Sequence, residues 1–521
     1  MNPGLELLQG SGAVEELKNI RRGIEKESLR IDASGNLSKL SHPKGLGSAL
    51  TNPFITTDFS EALVELVTPT FTNTFECLEF LTEIHAFVYK QIEDELLWPC
   101  SMPCPISSEE DIPIGNYGSS NPGTLKTIYR KGLSHRYGGL MQTISGIHYN
   151  FSFPERFFEK IQKNLKKKEV GLKDLKNETY LSIARNFKRH EWLYFLLFGA
   201  SPAICDSFIK SPDHDFEILP SGGLYKPNAT SLRMGEVGYI SKVQENLNIS
   251  MNSLKEYCED LKLALTDSYT PYKKIGEFKK GERIQLNTAI IQIENEYYNT
   301  IRPKRICPQG ERPISILEKE GINYLELRCV DIDPFVPIGI ERDQTDFIDM
   351  LLLFCFLEDS PPIERSEMEQ IRINHNKVIN QGRDQNLMLY HRDTKVRALD
   401  LASTIFDKFE EMIGDISKEI FGVNKNFWKA SLKIQKEKLL DLNRTPSGKI
   451  LNHIEKEKKS FKEFGLELSE LHSDFFKNYK QKENETLKKA ASLSFKTLSE
   501  IELKDNLPFE EYLSNFLNKT T

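Results

Sequence analysis

Between Gly146 and Phe153 the chain alternates strictly: Ile147, Tyr149, Phe151 and Phe153 form one face, and His148, Asn150 and Ser152 form the other. Strand side chains point alternately to two faces, so a period of two fits a half-polar β-strand. The pattern returns in Tyr324–Val330, where Leu325, Leu327 and Cys329 oppose Glu326 and Arg328. In Gly23–Arg30, Glu25 and Glu27 point the same way, about 7 Å apart. Asp58–Val67 places Glu61 and Glu65 on one face, whether read as a strand or as a helix. Ile291–Tyr298 reads as a further strand, grouping Gln292, Glu294, Glu296 and Tyr298.

One such strand ordinarily turns its polar face to water. Several together, rich in carboxylates and carrying a histidine, describe instead a curved sheet whose polar face lines a cleft. Two carboxylates about 7 Å apart at an effective dielectric near 20 repel by roughly 2 kcal/mol, so gathering more of them requires cations. An oxygen-rich site with one nitrogen ligand suits Mg²⁺, with Mn²⁺ as a substitute, and suits zinc poorly. Arginines follow the same segments: Arg130, Arg136, Arg233, the Arg302–Arg305 corner, and Arg328 beside Glu326. Their forked donors match phosphate oxygens, although a structural Arg328–Glu326 pair is an equally good reading.

Composition narrows the class. The 521 residues are 39% hydrophobic and 28% charged, an ordinary globular balance, and the formal charge of −7 gives no reason to expect nucleic acid or a membrane surface. Residues 1–9 lack a basic leader, and the most apolar run, Trp192–Ile204, is too short to span a bilayer. A cytoplasmic protein is expected. Eight cysteines in so long a chain are not a disulfide framework. Residues 1–345 are expected to form a core carrying the sheet and the site. Residues 346–521 should be mainly helical and pack on that core as one integrated unit. Leu507, Phe509, Tyr512, Leu513, Phe516 and Leu517 follow helical spacing, so the C-terminus should dock on the core. No phosphate-binding P-loop, dinucleotide fingerprint or nucleophile elbow is present.

Longer motifs identify a resemblance. Arg22-Gly-Ile-Glu-Lys-Glu-Ser-Leu-Arg30, Ile55-Thr-Thr-Asp-Phe-Ser-Glu-Ala-Leu-Val-Glu65 and Trp98-Pro-Cys-Ser-Met-Pro-Cys104 resemble the bacterial glutamate–cysteine ligases. So do Arg136-Tyr-Gly-Gly-Leu-Met-Gln-Thr-Ile-Ser-Gly-Ile-His-Tyr-Asn-Phe-Ser152, Thr230-Ser-Leu-Arg233, Gln292-Ile-Glu-Asn-Glu296 and Ile301-Arg-Pro-Lys-Arg305. The match runs in order over about residues 18–345 and is thin beyond.

The resemblance implies an α+β fold: a glutamine-synthetase-like, curved, largely antiparallel sheet surrounded by helices. It implies ATP as co-substrate, Mg²⁺ as metal, L-glutamate and L-cysteine as the other substrates, and a monomer. By position, it assigns Glu25, Glu27, Asp58, Glu65, His148 and Glu326 to metal. It assigns Arg130 and Arg328 to phosphoryl charge, and Arg233 to a substrate carboxylate or the acyl phosphate. Phe59, Tyr129, Leu133, Gln142, Tyr239 and Tyr298 are assigned to a pocket for cysteine. Three rivals stay open at this stage: a ligase for another amine, a two-metal hydrolase, and an inactive nucleotide or amino-acid sensor.

Overall fold

The computed structural model describes residues 3–519, except 166–169, 210–212, 239–242, 245–246, 309, 393, 417–422 and 480–483. Its centre is a seven-stranded antiparallel sheet. The strands used below are β1 (Arg21–Ile31), β2 (Ile55–Thr57), β3 (Leu63–Val67), β4 (Leu96–Leu97), β5 (Ile147–Ser152), β6 (Ile301–Lys304) and β7 (Tyr324–Val330). They lie in the order β6-β7-β5-β1-β3-β2, with β4 pairing the end of β1.

The apolar face of β5 decides which side of the sheet is covered. Tyr149 and Phe151 are wholly buried. Behind them lie the helices α3 (Leu172–Phe198) and α4 (Arg342–Leu357), which pack on one another. Asp349 of α4 ties this layer to the sheet. It accepts the Tyr149 hydroxyl at 2.9 Å and pairs with Arg22 of β1 at 2.7 Å. Burying that charged pair would be expensive without such hydrogen bonds. The helix expected over Met350–Leu357 is the second half of α4, so a boundary after residue 345 falls inside a helix.

Two readings need revision. Asp58–Val67 is not one continuous element: β2 ends at Thr57, and β3 begins at Leu63. Glu61 lies in the intervening turn, accepting the backbone N–H groups of His42 at 2.7 Å and Asn116 at 2.6 Å. Ile291–Tyr298 is not a strand either, because Glu294–Glu296 forms a 3₁₀ turn. A short turn can satisfy the same local alternation, and here long-range ion pairs hold it.

The helices α1 (Thr74–Tyr89) and α2 (Asn121–Tyr137) flank the N-terminal strands, and α2 carries Tyr129, Arg130 and Leu133. Ser120 caps α2 by accepting from Gly123 N–H, and Pro122 sits in its first turn, where no helical donor is lost. The C-terminal helices α5 (Phe461–Asn478), α6 (Glu485–Lys504) and α7 (Phe509–Asn518) return to these same segments. Ser48 N–H donates to Ser494 Oγ at 2.8 Å, and Ser119 N–H to Glu502 at 2.9 Å. Asp505 accepts from Asn121 at the start of α2. Leu513 is buried, and Arg312 lies 4.8 Å over the Phe516 ring. Among the described residues no helix is long and apolar enough to cross a membrane.

Candidate functional site

The β-register assembles the site. Glu25 stands opposite His148 across β1 and β5, Glu27 opposite Glu65 across β1 and β3, and Glu326 opposite Asn150 across β7 and β5. Directly opposed residues share a face, so one face carries Glu25, Glu27, Glu65, His148, Asn150 and Glu326. Glu25 Oε2 lies 3.2 Å from His148 Nδ1, and Glu25 Oε1 accepts from Asn150 Nδ2 at 2.8 Å. Ligand atoms of Glu25, Glu65 and His148 all fall within 4.8 Å of one another.

The donor chemistry fits a hard divalent ion. The trio offers carboxylate oxygens and one imidazole nitrogen, and His148 Nε2 is buried without a hydrogen-bond partner. Such an orphan is costly unless something occupies its lone pair. Mg²⁺ and Mn²⁺ accept this mixture.

The charges are unevenly compensated. Burial, then the charges of Glu25, Asp58 and Glu27, push the Glu65 carboxyl well above its ordinary range. Burial also raises Glu27, although it accepts the Gly146 N–H at 2.7 Å. At Glu25, burial raises the carboxyl, but the His148 hydrogen bond and nearby Lys304 help bring it below the ordinary value. Glu326 is also lowered: burial is outweighed by Lys304 and Arg328, each at 3.3 Å. One end of the row is thus neutralised by protein cations, while Glu27 and Glu65 are not.

The three arginines stand at different depths. Arg328 lies beside Glu326 on the site face. Arg233 is fully buried, donating to the Arg328 carbonyl at 2.9 Å and lying 3.5 Å from Asp331. A Cβ on Gly146 would come within 2.0 Å of Arg233 Nη2, so only glycine leaves room there. Arg130 donates to the Asp58 carbonyl, approaches its carboxylate at 3.7 Å, and stacks 4.5 Å over the Tyr117 ring. Asp58 itself lies at the rim, its side chain 41% exposed.

Two lysines were given no role of their own in the sequence. Lys304 pairs with Glu326, whereas Arg305 of the same corner binds Glu320. Lys126 lies one turn before Arg130 on α2, 5.2 Å from the same Tyr117 ring. It has no carboxylate at ion-pair distance among the described residues, and burial holds its ammonium near 8. Nothing in the helical sequence around Lys126 distinguishes it; only its place near Glu65 and Asp58 in the fold does.

The pocket assignments are partly brought together. Tyr129 and Leu133 lie one turn apart on α2, and with Phe59 they belong to one apolar cluster. Gln142 and Tyr298 contact through their polar tips at 3.3 Å, and the Tyr298 ring meets Tyr137 edge-on at 6.0 Å. Tyr239 lies outside the described residues. Glu296 is taken up by Arg136 at 2.9 Å and Tyr137 at 2.8 Å, and Glu294 by Arg312 at 2.9 Å. These two acids are engaged in structural pairs.

The chain is similar to known proteins over nearly its whole length. A family model described as glutamate-cysteine ligase matches residues 5–378. A glutamate–cysteine ligase of Alcanivorax borkumensis is 40% identical over 523 residues, covering 99% of this chain and 98% of that one. One from Pseudomonas putida is 42% identical over 494 residues, covering 94% and 93%. The crystal structure of a Francisella tularensis glutamate–cysteine ligase in complex with AMP superposes with a TM-score of 0.89 at 37% identity, covering 96% of this chain and 98% of that one. A bifunctional glutathione synthetase from Pasteurella multocida shares the fold, with a TM-score of 0.66 at 22% identity.

Proposed function

Because the chain belongs to the glutamate–cysteine ligase family, we propose that the cleft on β1, β3, β5 and β7 is where it joins L-cysteine to L-glutamate at the expense of ATP. The γ-carboxylate of glutamate attacks the γ-phosphorus of ATP, and ADP leaves. The cysteine amine then attacks the resulting acyl phosphate, an amide bond forms, and phosphate departs. The product is γ-glutamylcysteine, the first intermediate of glutathione synthesis. The observation that carries this reading is the Glu25–Glu65–His148 cluster, within 4.8 Å, in a chain aligned over nearly its whole length with ligases of this type.

Glu25, Glu27, Asp58, Glu65, His148 and Glu326 would hold Mg²⁺ or Mn²⁺. When bound, the metal would offset charge on the nucleotide phosphates and on the transferring phosphoryl group. Arg130 and Arg328 steady phosphoryl oxygens, with Lys126 added to them as a third cation, and Arg233 holds a substrate carboxylate or the acyl phosphate. Phe59, Tyr129, Leu133, Gln142, Tyr239 and Tyr298 make the cysteine pocket. Apolar and aromatic walls suit a thiol, but they discriminate near-isosteres only about 10–200-fold.

The antiparallel sheet is read as glutamine-synthetase-like, because one of its faces carries the row of acids. Both parts of the chain contribute to both apolar clusters, which supports one integrated unit. A cytoplasmic monomer is the working state. Eight unpaired cysteines accord with a reducing compartment.

The test is ADP release from ATP, Mg²⁺ and L-glutamate, with and without L-cysteine, followed by mass analysis. Cysteine-dependent ADP matched by γ-glutamylcysteine supports the reading. ADP with another amine but not cysteine overturns the pocket assignment, and no ADP with any acceptor overturns the ligase reading.

A further inference from the structure

A carboxylate stands on the helix that covers the apolar side of the sheet. Glu191 lies on α3 at the head of the apolar run Trp192–Phe198 and is 1% exposed. Lys188, one turn earlier, reaches its Oε1 at 3.1 Å and its Oε2 at 2.9 Å. The Thr300 hydroxyl donates to Oε2 at 2.5 Å, and His375 Nδ1 lies 2.8 Å from Oε1. Burial raises the Glu191 carboxyl, but Lys188 and His375 outweigh it and bring it down to about 2. At neutral pH it is therefore ionised and can only accept.

Two of these partners lead to the site arginines. Thr300, just ahead of β6, accepts the Arg328 N–H on its carbonyl at 2.8 Å. His375, on the helix Arg365–Gln381, places Nε2 3.1 Å from the Met234 carbonyl. Met234 ends the 3₁₀ turn Leu232–Met234 that carries Arg233. Both nitrogens of His375 thus face acceptors, so both donate. Phe195 packs against the imidazole at 5.0 Å, close to perpendicular. Arg233 in turn donates to the Arg328 carbonyl at 2.9 Å. The contacts close a ring that runs from Glu191 through Thr300, Arg328, Arg233, Met234 and His375 back to Glu191. The backbone of Arg328 is held on both sides, its N–H by Thr300 and its C=O by Arg233.

We propose that Glu191 positions both site arginines, holding the Arg233 turn through His375 and the Arg328 strand through Thr300. Glu191, His375 and Thr300 touch no substrate; they are positioning residues. What the two arginines do once positioned rests on the ligase reading. Cationic donors stabilise developing phosphoryl charge only where they are fixed in advance, and small displacements are costly. A buried carboxylate suits that task, because losing any one donor leaves its charge short of compensation.

The experiment compares the whole protein as wild type, Thr300→Val, Thr300→Ser and His375→Phe. ADP release and amide hydrogen–deuterium exchange, read by mass spectrometry, are measured on each. Thr300→Val keeps the size and loses the hydroxyl, whereas Thr300→Ser keeps the hydroxyl and loses a methyl. His375→Phe keeps a ring beside Phe195 and loses both N–H donors. In Thr300→Val and His375→Phe, kcat should fall at least about 10-fold while the cysteine KM stays within about 3-fold. Thr300→Ser should keep kcat within about 3-fold of wild type. Exchange in segments 232–234 and 324–330 should quicken in Thr300→Val and His375→Phe but not in Thr300→Ser. A purely structural role predicts the reverse order at Thr300, with Thr300→Val tolerated and Thr300→Ser the worse. Wild-type kcat in Thr300→Val, or unchanged exchange in both segments, overturns the proposal. Thr300→Val alone decides if His375→Phe does not fold. If the wild type releases no ADP with any acceptor, the ligase reading fails, and the exchange result alone decides the positioning.

Discussion

Glu27 and Glu65 stand directly opposite one another in the β1–β3 ladder, two carboxylates where a cross-strand pair ordinarily joins opposite charges or apolar groups. Both are raised by burial and by neighbouring carboxylates. The fold tolerates the pair only with a proton or a cation between them.

Replacing Glu65 by Gln should therefore separate stability from catalysis. The metal-free variant is expected to melt at or above wild type, by up to about 3 °C, because a like-charge contact is removed. Turnover should fall at least about 100-fold, since a metal ligand is lost. Thermal melting and ADP release on the same preparation check this, and wild-type turnover would take Glu65 out of the site.

Magnesium stabilisation should depend on pH with a fixed sign. Metal requires deprotonated carboxylates, and metal-free Glu27 and Glu65 hold their protons to higher pH than ordinary glutamates. The stabilisation is present above those raised values and is lost as pH falls through them toward about 4.5. The melting shift on adding Mg²⁺ should be larger at pH 8 than at pH 5.5. An equal shift at both would mean that the metal binds elsewhere.

Gly146→Ala should disable the enzyme without unfolding it. The added methyl meets Arg233 Nη2, the flexible end of a side chain, so Arg233 is displaced from its contact with the Arg328 carbonyl. A loss of kcat of about 100-fold with a melting change under about 5 °C is expected. Retained activity would show that Arg233 has no part in the chemistry.

Lys126→Met keeps the chain length and removes the charge. If Lys126 steadies phosphoryl oxygens, kcat/KM for ATP should fall by roughly 10²–10³ while the cysteine KM stays near its wild-type value. An unchanged ATP dependence refutes that role.

Tyr298→Phe removes the hydroxyl that meets Gln142. A several-fold rise in the cysteine KM is expected, with the ATP KM unaffected. The opposite pattern would move the cysteine pocket elsewhere.

Strand alternation made much of this legible. His148, Glu25 and Glu326 were readable because a period of two fixes which face a residue occupies, whatever the partner strand. The partners were not readable: that Glu25 meets His148 and Glu27 meets Glu65 depends on register, which is set by the whole sheet. The same period misled at Glu294 and Glu296, where a 3₁₀ turn carries the alternation and Arg312 and Arg136 claim the acids. Lys126 gave no signal, because its nearness to Glu65 and Asp58 is set by the tertiary fold. Gly146 was visible only as the start of a strand, and the reason for glycine there is an arginine 87 positions later.

The clasp between Ser48 and Ser494 spans 446 residues. At a synthesis rate of about 5–20 residues per second, roughly 20–90 s pass between the emergence of its two halves. For that interval the acid-bearing first strands exist on the ribosome without the helices that seat the Gly47–Thr51 loop and cap the start of α2. The newborn chain thus carries its most charge-crowded segment longest in an unfinished state, and only its last helices close it.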